Sequence, residues 1–265
     1  MNRIDALFTQ VRARRRPALA AYITAGDPDL DRTREIALAL VEAGVELLEF
    51  GVPFSDPIAD GPVIQRAAQR SLRAGTTLDG VLSCLRQIRE AGCEAAVSLF
   101  GAYNPFHHRG LAAICREARA AGADGFLIPD LPPDEAGELR PHLEAHDLRC
   151  AFLLAPTSSD ERIRLVTRAS TGYVYCVSVR GVTGARTDLP PDLGEFLARA
   201  RAATGKPLLV GFGISTPEHV ATLAPQVEAI VVGSAIVKII EEHGQAPGVA
   251  ERVAAFAREL RSALG

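Results

Sequence analysis

The sequence has little net charge, no long apolar run and no regularly spaced cysteines. A formal net charge of −3 and an isoelectric point near 6.1 give no field that would gather nucleic acid or an anionic membrane. No apolar run approaches the ~20 residues that a membrane-spanning helix needs. The cysteines are odd in number and in no paired spacing, which indicates reduced thiols in a cytoplasmic protein. They are Cys84, Cys93, Cys115, Cys150 and Cys176.

The six histidines do not form a metal-binding pattern either. His107 and His108 are adjacent, but neighbouring side chains diverge, so solvated surface is the better interpretation of the pair. No metal site is therefore predicted.

Short apolar segments alternate with helical stretches rich in Ala, Leu and Arg along the whole chain. The strand candidates are residues 19–24, 47–51, 95–100, 125–129, 149–154, 173–178, 207–211 and 229–233, and helical stretches include 31–42, 78–91 and 110–121. Eight units in 265 residues give about 33 residues each, the length of a strand–helix repeat. The strands lack polar alternation, as expected of a parallel sheet buried on both faces. The pattern predicts an α/β fold, a (β/α)8 TIM barrel in which residues 1–265 form one domain.

A doubly wound open sheet is the alternative architecture. The turn after the first strand reads Ala25-Gly26-Asp27-Pro28 and lacks the GxGxxG pattern typical of that fold. Ahead of that strand, an apolar stripe predicts an extra amphipathic helix at the N-terminus. The stripe consists of Ile4, Leu7, Phe8 and Val11.

Two of the loops that follow strands are longer than usual. One spans residues 49–62 after the second strand, and the other spans 179–188 after the sixth. Loops after strands gather on one face of a barrel, where catalytic groups belong.

The first long loop joins two acids that are expected to differ in environment. If Leu47, Glu49 and Gly51 share one face of their strand, Glu49 points toward the core. A carboxyl group in apolar surroundings has a raised pKa, which suits acid–base catalysis near neutral pH. Asp60, flanked by glycine and proline beyond a stiff loop, is expected to be wetter and to stay ionised. Tyr175 on the sixth strand is a further catalytic candidate.

Glycines after the last two strands predict an anion site. They let the backbone approach an anion, and the helix that follows directs free N–H groups at it. Phosphate commonly binds at this place in barrels. The predicted phosphate ligands are Gly211, Gly213, Gly233 and Ser234, with Gly184 closing from the sixth loop. The alternative is that these glycines only permit tight turns.

The remaining residues limit the chemistry. The only lysines, Lys206 before strand seven and Lys238 in the last helix, are not placed to form a Schiff base above a barrel. Apolar positions predict a pocket suited to a ligand with an aromatic end and a phosphorylated end. They are Tyr22, Ile64, Phe100, Leu127, Leu153, Phe212 and Val231.

At this point the motifs become recognisable as those of a known family. Residues 53–57 (PFSDP) and 59–62 (ADGP) resemble the signature of the tryptophan synthase α subunit. Residues 129–132 (PDLP), 181–184 (GVTG), 211–214 (GFGI) and 233–238 (GSAIVK) match in order. The resemblance covers essentially the whole chain. The sequence departs from the family pattern at Val63, Phe100 and Ala102, which bear on the pocket's shape.

The resemblance implies a reaction and its residues. The reaction is the retro-aldol cleavage of indole-3-glycerol phosphate to indole and glyceraldehyde 3-phosphate, with no cofactor in this chain. By this resemblance, Glu49 transfers protons, Asp60 binds the indole N–H, and Tyr175 contacts the substrate. Arg180, Gly181 and Thr183 fall in the loop that acts as a lid.

The resemblance also implies a partner, a β subunit that holds pyridoxal phosphate in an α2β2 complex. Loops around Asp56, Asn104 and Pro132 are expected to face it. Two alternatives stay open: a stand-alone lyase that releases free indole, and a non-catalytic phosphate-binding barrel.

Overall fold

One parallel sheet of nine strand segments forms the centre of the protein. The computed structural model describes residues 1–57, 60–178, 189–211 and 213–265. The segments are β1 (Ala18–Thr24), β2 (Leu47–Gly51), β3 (Ala96–Phe100), β4 (Gly125–Leu127), β5 (Arg149–Ala151), β6 (Leu153–Leu154), β7 (Val174–Val177), β8 (Leu208–Gly211) and β9 (Ala229–Val232). Their order across the sheet is β5-β4-β3-β2-β1-β9-β8-β7-β6.

The two edge segments, β5 and β6, are halves of one strand interrupted at Phe152. The first half pairs with β4 and the second with β7. The Phe152 N–H donates to Ser170 Oγ (3.1 Å), while its carbonyl accepts a bond from the Tyr175 N–H (3.2 Å). The edges therefore meet at this residue, and the sheet is a nearly closed barrel with eight strand positions. The predicted (β/α)8 class is confirmed, and the doubly wound alternative is wrong.

Helices connect the strands and cover the outside of the barrel. They are α1 (Arg3–Arg14), α2 (Leu30–Glu42), α3 (Pro62–Arg73), α4 (Leu78–Glu90), α5 (Tyr103–Arg109), α6 (Leu111–Ala121), α7 (Arg140–Ala145), α8 (Asp160–Ala169), α9 (Leu193–Ala203), α10 (Pro217–Leu223), α11 (Ser234–His243) and α12 (Val249–Ser262). Within the described ranges, none of them combines the length and apolar character that crossing a bilayer requires.

The N-terminal helix α1 closes the amino-terminal end of the barrel. Asn2 caps it by accepting a hydrogen bond from the Ile4 N–H (2.9 Å). The Phe8 ring lies 5.5 Å from the ring of Tyr173, centroid to centroid. All four residues of the apolar stripe are buried, so the helix is present as predicted.

Side-chain alternation along the strands divides the core into two layers. On β1, Ala20 and Tyr22 face the barrel interior, whereas Leu19 and Ile23 pack against the outer helices. Residues 47 and 49 face inward by the same rule, and this rule brings the side chain of Glu49 into the barrel. Burial on both faces explains why the strands are apolar throughout.

Candidate active site

A cavity with about 380 Å³ of empty volume opens at the carboxyl ends of the strands. Its lining joins residues from the ends of β1, β2, β3, β7, β8 and β9. They are Tyr22, Glu49, Asp60, Ile64, Phe100, Tyr175, Gly213, Val231, Gly233 and Ser234. Acidic, aromatic and glycine positions that are far apart in the sequence thus surround one space.

Glu49 is a buried carboxyl group with one oxygen that is not hydrogen-bonded to any described residue. Strand β2 aligns it with Tyr22 on β1 and Ser98 on β3. The residue is 1% exposed, and within the described part of the chain its Oε1 accepts no hydrogen bond. Burial raises the pKa of Glu49 from 4.5 to about 8. Its carboxyl group therefore holds a proton at neutral pH and can donate it inside the cavity.

Asp60 is half-buried and is therefore wetter than Glu49, which is 1% exposed. Burial, and then the negative charge of Asp130, raise the pKa of Asp60 to about 6. The sequence could not anticipate this raised pKa, because burial of the carboxyl group and the nearby charge of Asp130 depend on how distant segments pack together. The order of the two acids is still as expected, since the pKa of Asp60 lies below that of Glu49. Asp60 is mostly ionised at pH 7.

Two tyrosines lie close to strand glycines in the cavity. A Cβ atom on Gly211 would lie 2.2 Å from Tyr175 Oη, and one on Gly51 would lie 2.4 Å from Tyr22 Oη. Only glycine leaves room for each hydroxyl. Gly211 thus contacts Tyr175 at the end of β8, while its predicted phosphate contact stays a prediction. Burial, then the nearby charge of Glu49, raises the pKa of Tyr175 well above its usual value, so this phenol is neutral.

A glycine-rich rim lines the same cavity as Asp60. Helix α11 begins at Ser234, and its N-cap, Gly233, makes no side-chain capping bond. The first N–H groups of a helix have no partner within the helix, so these are available to an anion. Gly213 has a φ of +80°, a left-handed conformation that favours glycine. The rim therefore combines a helix start with a glycine in the left-handed conformation, features that suit an anion.

The other predicted residues fall into three groups. Leu127 is buried in the barrel interior and Leu153 packs against the same core cluster; they pair with Phe100 and Tyr175, which line the cavity, but do not line it themselves. Asp56 and Asn104 are exposed and Pro132 is half-buried, as a partner surface requires. Outside the described residues lie Phe212, Gly184, Arg180, Gly181 and Thr183.

A second cavity adjoins the first, and the sequence analysis did not anticipate it. It also has about 380 Å³ of empty volume and shares Tyr22, Asp60 and Phe100 with the first. Asp130, which the sequence analysis missed as a functional candidate, lies in its wall. Its position directly after the fourth strand was the available signal, because side chains there border the active-site face.

Across the described ranges, no three His, Cys, Asp or Glu side chains are arranged to hold a metal ion.

The fold and the cavity together define a (β/α)8-barrel enzyme that presents acidic side chains and a glycine-rich rim at the carboxyl ends of its strands. The family model described as "Tryptophan synthase alpha chain" matches residues 8–264. The chain belongs to this family.

Relatives support the assignment over full length. The tryptophan synthase alpha chains of Solibacter usitatus and Geobacter sulfurreducens are 49% and 46% identical to it; the alignments cover 100% of this chain and 99% and 100% of theirs. The solved tryptophan synthase subunit alpha of Legionella pneumophila is 37% identical with a TM-score of 0.91, covering 100% of this chain and 98% of that one. A Mycobacterium tuberculosis tryptophan synthase structure is 35% identical with a TM-score of 0.90, and the match covers 99% of this chain and 98% of that one.

Membership of the family gives the reaction. The chain is a carbon–carbon lyase that cleaves indole-3-glycerol phosphate, the alpha reaction of tryptophan biosynthesis. Alpha chains of this family act with a beta subunit.

Proposed function

We propose that Glu49 transfers the protons of the cleavage. The observation that carries this role is its burial, with no described residue hydrogen-bonded to Oε1, which leaves the carboxyl protonated at neutral pH. Glu49 gives its proton to the indole ring carbon that bears the side chain. The carbon–carbon bond then breaks, the side-chain hydroxyl becomes the aldehyde, and the hydroxyl proton returns to the carboxylate. Protons balance over one turnover, so the step needs no external acid or base.

Asp60 is the fixed negative charge in this proposal. Its ionised carboxylate accepts a hydrogen bond from the indole N–H and stabilises the positive charge that builds on the protonated ring. The lower pKa of Asp60 supports the division of roles, because one acid must be charged while the other carries a proton. Tyr175, neutral and in the same cavity, contacts the substrate.

The two ends of the substrate occupy different parts of the cavity. We assign the phosphate to the rim formed by Gly213, Gly233 and Ser234, which supplies backbone N–H groups and a helix start. Gly211 and Gly184 complete the proposed phosphate site, and Arg180, Gly181 and Thr183 the proposed lid. The indole ring lies among the apolar positions, which are Tyr22, Ile64, Phe100, Leu127, Leu153, Phe212 and Val231.

The partner of the chain in this proposal is a beta subunit that holds pyridoxal phosphate, in an α2β2 heterotetramer. The chain itself needs no cofactor, and it works as one barrel domain. The exposed positions Asp56 and Asn104, with Pro132, face the beta subunit. The five cysteines are free and buried, which supports a cytoplasmic location.

Two conservative variants test the residue roles. Glu49→Gln removes the transferable proton and keeps the shape, so cleavage falls by about 10³-fold or more while the fold is retained. Asp60→Asn loses the charge and is severely impaired. Asp134→Asn, an exposed acid paired with Arg162, is the control and keeps full activity. Near-normal turnover in Glu49→Gln would contradict the mechanism.

Indole release with and without a beta subunit tests the partnership. Strong stimulation by the beta subunit is expected. High activity in its absence indicates the stand-alone lyase, and no cleavage under either condition indicates the non-catalytic phosphate-binding barrel.

A further inference from the structure

A cluster of four charged side chains ties together three segments next to the active site. Both carboxylate oxygens of Glu241 on α11 bind Arg66 of α3, at 2.6 and 2.8 Å. Arg70, one turn further along α3, donates to Glu241 Oε1 (2.8 Å) and makes two bonds of 2.8 Å to Asp27. We call Asp27, Arg66, Arg70 and Glu241 the arginine clamp. Planar two-pronged contacts of this kind fix orientation as well as distance.

One helix held by the arginine clamp carries the acidic end of the site. Helix α3 begins at Pro62, directly after Asp60 and Gly61. Its Gln65 side-chain amide donates to the Asp60 carbonyl (2.9 Å), and its Ile64 lines the cavity. A shift of α3 therefore moves Asp60.

The other helix carries the phosphate end. Helix α11 begins at Ser234, and both Ser234 and its N-cap Gly233 line the cavity. Glu241 lies seven residues further along, ~10 Å down the helix axis. Because a helix of this length moves as a rigid rod, the clamp sets the position of its start.

The third anchor is the turn after β1. Asp27 is 1% exposed and both of its oxygens bind Arg70. Ser71, the next residue of α3, donates its hydroxyl to the Ala25 carbonyl (2.6 Å). Helix α3 is therefore fixed to the barrel wall, and Glu241 bridges α11 to it through Arg66 and Arg70.

We propose that Glu241, acting through Arg66 and Arg70, is a positioning residue that sets the spacing between the acid that holds the indole ring and the helix start that binds the phosphate. It touches no substrate. Its effect on rate comes from alignment, because a displacement of about 1 Å at the reacting end of a bound substrate can cost about 100-fold in rate. The inference rests on the roles proposed above for Asp60 and Ser234.

The test is Glu241→Gln with a matched control. This variant weakens the ties from α3 to α11 but keeps the pair of Arg70 with the buried Asp27, so no buried charge is left alone. The control is Glu46→Gln, which breaks the pair with Arg14 just before β2, at the opposite end of the barrel. The side chains of that pair are 27% and 20% exposed, against 28% and 25% for Arg70 and Glu241.

Three quantities are measured in each folded variant: kcat for indole-3-glycerol phosphate cleavage, the Kd of glycerol 3-phosphate, and the Tm. For Glu241→Gln we expect kcat to fall about 10- to 100-fold. The Kd of glycerol 3-phosphate stays within about twofold, because the phosphate rim itself is intact. Glu46→Gln is expected to lower the Tm by about as much as Glu241→Gln does, and to leave kcat unchanged. Arg66→Ala, at a half-exposed position, shifts kcat in the same direction by less.

Two results overturn the inference. If kcat of Glu241→Gln matches that of Glu46→Gln, the clamp only stabilises the fold. If glycerol 3-phosphate binding is lost with kcat unchanged, the clamp shapes the rim and not the spacing. Either result leaves the proposed function standing, since that function is judged by Glu49→Gln and Asp60→Asn in an otherwise unchanged enzyme.

Discussion

Asp124 and Glu49 are both fully buried in the same barrel, at opposite ends, and they differ in their partners. Asp124, just before β4, is 0% exposed and accepts bonds from Arg89 (2.8 Å) and the Val97 N–H (2.9 Å). Arg3 reaches its other oxygen at 3.4 Å. Glu49, 1% exposed, has an oxygen that bonds to none of the described residues.

The comparison teaches which buried acid is structural and which is available for chemistry. A buried charge that is paired and hydrogen-bonded holds elements together, and here Asp124 joins α1, α4 and the base of β4. A buried carboxyl without partners stabilises nothing in its charged form and is driven to stay protonated. Groups of the second kind cluster at functional sites because their pKa values match the task.

The largest expected effect is on the free energy of unfolding at high pH. Glu49→Gln is expected to raise it, and Asp124→Asn is expected to lower it. Folded Glu49 keeps its proton to about pH 8, whereas in the unfolded chain it ionises near 4.5. Between those pH values the unfolded state binds fewer protons, so wild-type stability falls as pH rises through that window. Glu49→Gln removes this dependence and is more stable than wild type at pH 9, by on the order of 5 kcal/mol.

Asp124→Asn leaves Arg89 facing an uncharged group and lowers the free energy of unfolding by about 3–5 kcal/mol. Urea unfolding of both variants and the wild type at pH 5 and pH 9 measures the two changes. Destabilisation of the same sign and size in both variants would end the distinction drawn between the two acids.

A smaller effect is expected from Asp130, which sharpens the comparison at the active-site end. Its charge raises the pKa of Asp60, so Asp130→Asn lowers that pKa. The acid limb of the pH profile of kcat/KM, which follows Asp60 ionisation, moves to lower pH by less than about one unit, because an exposed charge is screened. Asp134→Asn makes the same change in net charge and is expected to leave the acid limb of this profile where it is. A shift toward higher pH in Asp130→Asn is incompatible with this account.

The fold was predictable because each strand is a local apolar segment. Predicted residues 47–51 coincide with β2, and the other strands begin within one residue of their predicted starts. The fifth strand was predicted to be continuous over 149–154. Its interruption at Phe152 depends on Ser170, a distant residue whose hydroxyl replaces a ladder bond. No local pattern announces such a contact.

The candidate site was predictable only as far as strand parity and motifs reach. Side-chain alternation along the second strand predicted that Glu49 points into the barrel. Glycines after the last two strands predicted the rim. The raised pKa of Asp60 was missed because it depends on how the fold buries this carboxyl group and on the charge of Asp130. The arginine clamp was missed for the same reason, since Arg70 and Glu241 are 171 residues apart in the chain.

Direct titration of the Glu49 carboxyl tests the central claim most simply. In protein carrying 13C-labelled glutamate, the resonance that disappears in Glu49→Gln belongs to this group, and its chemical shift is followed from pH 4 to pH 10. The account predicts a midpoint near pH 8 in the free enzyme. A midpoint near 4.5, the ordinary value for glutamate, would mean that Glu49 is charged at neutral pH, and it would contradict its role as the proton donor.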